Sequence, residues 1–223
     1  NCTGLPAAGH LTSAYDIALM SRELILNHPG IREFTTIWMD SLRDGAFQLV
    51  NTNKLIRFYE GATGLKTGST DAALYCLSAT AERDGMELIA VVLKSPTSDQ
   101  RFETAKSLLN FGFANYTLTG VYPSQALPPT EVLLGEKAQD QGVLQRSSRI
   151  LIDKAELNAV TTELCLSEEV EAPVEAGQKL GEMVVLVNGE VRETIPIVAS
   201  EAVEQLNVPG IFLRFLKTLF MAG

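Results

Sequence analysis

The residues in this chain best suited to chemistry are Lys66, Thr67, Gly68 and Ser69, at the entry to a long apolar stretch. A lysine at a strand edge supplies a fixed positive charge to an anionic group, and the hydroxyl beside it adds a short hydrogen bond to the same carboxylate. Gly68 has no side chain, so a ligand can approach the backbone and pair with the strand edge. The backbone amide of Ser69 can face a carbonyl oxygen that becomes negative during acyl transfer, a contact worth roughly 3 kcal/mol of barrier. The plain alternative is that Lys-Thr-Gly merely starts a solvent-facing strand. Gly61 and Gly64 before it, and a hairpin after it, favour the chemical reading.

Those residues need elements to hold them. Ser13-Ala14-Tyr15-Asp16 has capping-box spacing, and Ile17, Met20, Leu24 and Ile25 recur at helical intervals, which predicts a helix ending near His28-Pro29-Gly30. A short second helix from Pro29 to about Ile37 can follow. Phe47 to Asn53 and the segment around Tyr59 read as loop and short strand. Leu74–Ala81 and Met86–Leu93, joined through Asp84-Gly85, predict an antiparallel hairpin. Phe102, Ala105, Leu108 and Leu109 then lie along one face of a helix that covers the sheet. Asn51 and Asn53 either border a groove or fix a turn, since asparagine side chains often bond local backbone.

Pro123, Pro128 and Pro129 mark the approach to a second unit. Beyond them, Arg149–Ile152, Thr162–Leu166, Gly181–Val187 and Glu190–Ile197 are strand candidates, the last two joined by an Asn188-Gly189 turn. The expected division is 1–111 for the first unit, 112–206 for a small all-β domain and 207–223 for a terminal segment. In that segment Ile211 to Met221 is apolar with only basic charges. Eleven residues at about 1.5 Å each do not cross a layer about 30 Å thick, so residues 210–221 are expected to lie in a membrane surface as an amphipathic helix or to continue into a longer anchor; docking on the protein is the alternative.

A formal charge of −9 argues against a nucleic-acid surface. Cys2, Cys76 and Cys165 are widely spaced with no Cys-x-x-Cys pair, which indicates neither a disulfide framework nor a zinc site, and Cys76 is expected to be a small buried hydrophobe. Glu168, Glu169 and Glu171 lack metal-ligand spacing and read as a solvated strand end. His10 and His28 have no Gly-x-Ser-x-Gly nucleophile turn to serve. No cofactor and no metal are expected.

With these residues set out, the chain resembles the serine-type D-alanyl-D-alanine carboxypeptidases, low-molecular-weight penicillin-binding proteins of the DacF or penicillin-binding-protein-5 type. The resemblance rests on Thr3–Leu5, His10–Ala18, Asn51–Leu55, Tyr59–Thr70, Ala73–Ala79, Leu88–Leu93 and Arg101–Phe113. It implies an α+β fold: part of a penicillin-binding transpeptidase/β-lactamase-like domain, with an antiparallel sheet and covering helices, then a small all-β domain and a terminal amphipathic helix. It implies removal of the terminal D-alanine from peptidoglycan stem peptides through a serine acyl-enzyme, with β-lactams acylating the same serine. Carried onto this chain, Lys66 supports the site's electrostatics, Thr67 binds the substrate carboxylate, Gly68 gives clearance and Ser69 lends its amide to the oxyanion hole. Thr70 and Asn53 complete the expected substrate contacts.

The family's nucleophile motif, Ser-x-x-Lys, and its Ser-x-Asn loop occur nowhere in the 223 residues; each of the eight lysines has a residue other than serine three positions upstream. The expectation is therefore a carboxy-terminal portion, inactive alone, whose partner is an amino-terminal piece of the same enzyme, outside the cytoplasm at a bacterial cell surface and peripherally attached to the membrane. A class A-like β-lactamase relative shares the Lys-Thr-Gly strand, and a non-enzymatic cell-wall binding or scaffolding protein is the alternative from another class.

Overall fold

The computed structural model describes residues 3–221; Asn1, Cys2 and residues 222 and 223 lie outside the described residues. The chain divides into two compact units, residues 1–117 and 118–223.

The first unit opens with helix α1 (Ala14–Asn27), whose start is set locally: Ser13 Oγ accepts the Asp16 amide at 3.1 Å while Asp16 Oδ2 accepts the Ser13 amide at 3.1 Å. His28 caps its other end, donating its amide to Leu24 O, and Pro29 follows. The expected second helix is broken into a 3₁₀ turn (Pro29–Ile31) and a single helical turn, α2 (Arg32–Thr35). In the stretch read as loop and short strand, β2 (Phe47–Val50) pairs with a strand outside it, β1 (Met39–Leu42), and a further turn of helix, α3 (Leu55–Phe58), follows. Every residue of β1 and β2 is exposed, so the burial alternation that identifies a strand is missing there.

The scaffold of the unit is the antiparallel sheet β3 (Ala62–Thr70), β4 (Leu74–Arg83) and β5 (Met86–Ser95), in that order. Asp84 and Gly85 turn the chain at φ 52° and 76°. Helix α4 (Ser98–Asn115), capped by Thr97, buries Phe102, Ala105, Leu109 and Phe113. The two long helices take opposite faces. Ser78 of β4 bonds Ser21 of α1 at 2.7 Å, whereas Leu88, paired with Ala81, lies against Gly112 of α4, where a Cβ would sit 2.4 Å from Leu88 Cδ1.

The second unit is β-rich. It comprises β6 (Tyr116–Val121, beginning just before the division), β7 (Thr130–Leu133), β8 (Gln139–Asp140), β9 (Val143–Leu144), β10 (Ser148–Asp153), β11 (Val160–Leu166), β12 (Glu169–Glu171), β13 (Lys179–Val187) and β14 (Glu190–Val198). The main sheet runs β11-β13-β14-β9 and is antiparallel; a second has the order β12-β7-β8 with β12 parallel to β7, and β6 pairs with β10. Met183, Val185, Ile195 and Ile197 pack with Val121 and Ile150 in one core, and Val132, Val174, Leu180 and Val203 in another. Asn188 and Gly189 form the β13–β14 turn at φ 55° and 82°.

This unit is not all strand. A 3₁₀ helix (Lys154–Ala159) precedes β11, and helix α5 (Val208–Met221) closes it, with Asn207 Oδ1 accepting the Gly210 amide at 2.9 Å. Val208, Phe212, Leu213 and Phe220 of α5 are exposed. Among the described residues no helix is long and apolar enough to cross a membrane.

Candidate active site

β3 has β4 as its single neighbour in the sheet, so its other edge carries backbone groups that no strand among the described residues occupies. Lys66 lies opposite Ser78 and Gly68 opposite Cys76 on the α1 face, while Thr67 and Ser69 belong to the opposite face. Lys66 is exposed and its ammonium donates to the Thr67 carbonyl. At Gly68 nothing lies within 4 Å of where a Cβ would stand, so the strand is bare at that point. Gly61 is glycine for a different reason: its φ is +81°, and a Cβ there would meet Glu82 O at 2.4 Å.

Lys66, Thr67 and Gly68 open onto a cavity of about 370 Å³ between α1 and the sheet, lined also by Ile17, Met20 and Leu24. Cys76 lines it too. Contrary to the expected buried hydrophobe, this thiol is only half-buried and sits 3.3 Å from Ala73 O. The other expected contacts part company with the triplet. Asn53 is 2% exposed, its amide donates to Gly64 O at 2.8 Å and its Oδ1 accepts the Leu55 amide at 3.2 Å. Both ends of that side chain serve the backbone, so Asn53 fixes the loop. Thr70 Oγ1 accepts the Ala73 amide at 3.0 Å, closing the β3–β4 turn.

Two residues with no assigned role in the sequence stand at the triplet. Thr52 Oγ1 is 2.6 Å from Thr67 Oγ1. Arg101, 6% exposed in α4, donates through Nη1 to Gly68 O at 3.3 Å and Cys76 O at 3.1 Å, tying β3 to β4 behind the site. Burial pushes the Arg101 guanidinium below its ordinary value, and Cys76 and Tyr75 pull it back up. The signal for Arg101 was present: with Ala105 and Leu109 it keeps the buried face of α4 at four-residue spacing, and a charge on such a face needs partners. Thr52 gave no such signal, being fifteen residues from its partner. His10 and His28 are exposed, and no cluster of three or more His, Cys, Asp or Glu suited to a metal occurs among the described residues.

Residues 1–97 match the family described as D-alanyl-D-alanine carboxypeptidase, and residues 124–205 match the penicillin-binding protein 5, C-terminal domain. The chain belongs to the D-alanyl-D-alanine carboxypeptidase family. It is 37% identical over 97% of its length to D-alanyl-D-alanine carboxypeptidase DacF of Bacillus subtilis, covering 56% of that protein. It is 29% identical over 91% of its length to DacC of Escherichia coli, covering 51% of it. Among solved structures, penicillin binding protein 5 from Haemophilus influenzae superposes with a TM-score of 0.69 at 25% identity, over 90% of this chain and 59% of that one. The chain thus spans about half the length of the curated carboxypeptidases it matches.

Proposed function

We propose that this chain supplies the Lys-Thr-Gly wall of a serine D-alanyl-D-alanine carboxypeptidase that trims peptidoglycan stem peptides, with the nucleophilic serine carried by sequence beyond these 223 residues. In the reaction, the serine hydroxyl attacks the carbonyl between the two terminal D-alanines, the last D-alanine leaves with a proton on its amine, and water hydrolyses the resulting ester. Thr67 holds the terminal carboxylate while Lys66 supports the site's electrostatics, the edge of β3 that no strand among the described residues occupies aligns the peptide, and the Ser69 amide receives the developing oxyanion. β-Lactams are inhibitors on this reading because they acylate the same serine.

The observation that carries the proposal is the position of the triplet: it lies on the free edge of the sheet, bare at Gly68 and open to a cavity. The outer surface of α1 supports the missing-half reading. Leu19 and Leu26 are about half exposed and Tyr15 is 71% exposed, although a helix apolar on several sides is normally enclosed. Its cover is the amino-terminal part of the same catalytic domain. We further propose that α5 lies on the outer face of the cytoplasmic membrane, with Phe212, Leu213 and Phe220 in the lipid.

The test is denaturing intact mass of the full-length protein and of residues 1–223, each before and after benzylpenicillin, beside an assay for released D-alanine. The expected outcome is a drug adduct and D-alanine release for the full-length protein, with residues 1–223 unmodified. A full-length protein that neither gains the drug's mass nor releases D-alanine overturns the proposal.

A further inference from the structure

The strongest unassigned feature is the contact between the hydroxyls of Thr52 and Thr67, 2.6 Å apart. Thr52 is held there from both sides. Asn51 donates its side-chain amide to Ile37 O at 2.9 Å and to Thr35 O at 3.3 Å, and its Oδ1 accepts the Asn53 amide at 2.9 Å. Asn53 in turn is pinned to β3 through Gly64 O. The two asparagines fasten the loop to the strand that carries the triplet and set the residue between them against Thr67. Thr67 is 8% exposed, whereas Thr52 is exposed.

Two hydroxyls sharing one hydrogen bond have a choice of direction. If Thr67 donates, its single proton is used up and it presents only lone pairs to a ligand. If Thr52 donates, the Thr67 proton remains for the ligand, and the bond it makes is strengthened by the one it accepts. An anion selects the second arrangement, because lone pairs repel it.

We infer that Thr52 is a positioning residue that commits the Thr67 hydroxyl to donate toward the terminal carboxylate of the substrate. The inference rests on the carboxypeptidase reading and adds to it the source of carboxylate preference at Thr67. Thr52 touches no reacting atom; it acts through Thr67. Removing its proton leaves Thr67 free to turn away from the anion, at the cost of one ordinary hydrogen bond, about three- to tenfold in rate.

The experiment measures the second-order acylation rate of the full-length protein with benzylpenicillin and with its methyl ester, which lacks the anionic carboxylate, for wild type, Thr52→Val and Thr52→Ser. Thr52→Val is expected to slow the acid about three- to tenfold and the ester by less than about twofold, with Thr52→Ser restoring the acid rate. Equal slowing of acid and ester would mean a merely structural loop residue and overturns the inference, as does a Thr52→Val protein that matches wild type on the acid. A wild-type protein that forms no adduct overturns the carboxypeptidase reading itself, and with it this inference. Thermal melting of each variant separates misfolding from either result, and Thr52→Ser, which keeps the donor, must then follow wild type.

Discussion

The two units close their cores to different degrees. In the second, Met183, Val185, Ile195 and Ile197 are 0% exposed, and β13 and β14 are flanked by β11 and β9. In the first, the sheet ends at a free β3 edge, and Leu11, Phe34 and Phe58 are more than half exposed. In the enzyme proposed here the second unit is a self-sufficient body, whereas the first is completed by an amino-terminal piece. An open edge and a partly covered helix are costly for stability alone, yet they are where a site formed by two parts of a domain must lie.

The sharpest way to break this contrast is to separate the units. Residues 118–223 expressed alone are expected to melt in one cooperative transition, and residues 1–117 alone to show none and to bind an apolar dye; cooperative melting of 1–117 would remove the distinction. Next in size, Met183→Ala is expected to cost about 3 kcal/mol in the second unit's thermal or denaturant transition. It should leave benzylpenicillin acylation of the full-length protein unchanged within about twofold at temperatures below that transition, since the site lies in the first unit.

In the first unit, Thr67→Val should lower the acylation rate of the full-length protein by roughly tenfold or more, the value of a hydrogen bond to a charged group. Arg101→Met takes the charged donor from Gly68 O and Cys76 O. Its expected cost is about 2 kcal/mol in chemical denaturation of the full-length protein, with slower acylation because β3 loses its tie to β4.

The smallest effect belongs to the closed unit. Glu193 accepts from Ser148 Oγ at 2.6 Å and pairs with Arg146, and the Ser148 bond, followed by that pair, holds its carboxyl below the ordinary value of 4.5 despite partial burial. A lowered folded-state value means the stabilisation is complete above about pH 4.5 and is lost as pH falls through the lower folded value. Glu193→Gln should therefore cost about 1 kcal/mol at pH 7, with the difference from wild type vanishing in acid, as read by melting across pH.

Much of this was legible in the residues themselves. The Ser13–Asp16 box, the Asp84-Gly85 and Asn188-Gly189 turns and the strands they join are local: caps and left-handed turn positions are decided within four residues, and alternation is visible wherever one side of a strand is buried. The reading failed where that local signal was absent. β1 buries neither face, α3 is a single turn, and β8 and β9 are two residues each, so none has a period to detect.

Within the site, the sequence alone determined that a cation, a hydroxyl and a side-chain-free residue stand together at Lys66, Thr67 and Gly68, because neighbours in a chain are neighbours in space. Tertiary structure decided that β3 is an edge, that Asn53 serves its loop, that Arg101 reaches two strands at once and that Thr52 meets Thr67. Each of these depends on which strands pair, in what register, and on which helix covers them. Such contacts join residues eleven to thirty-three positions apart, where only packing of the whole unit brings them within a hydrogen bond.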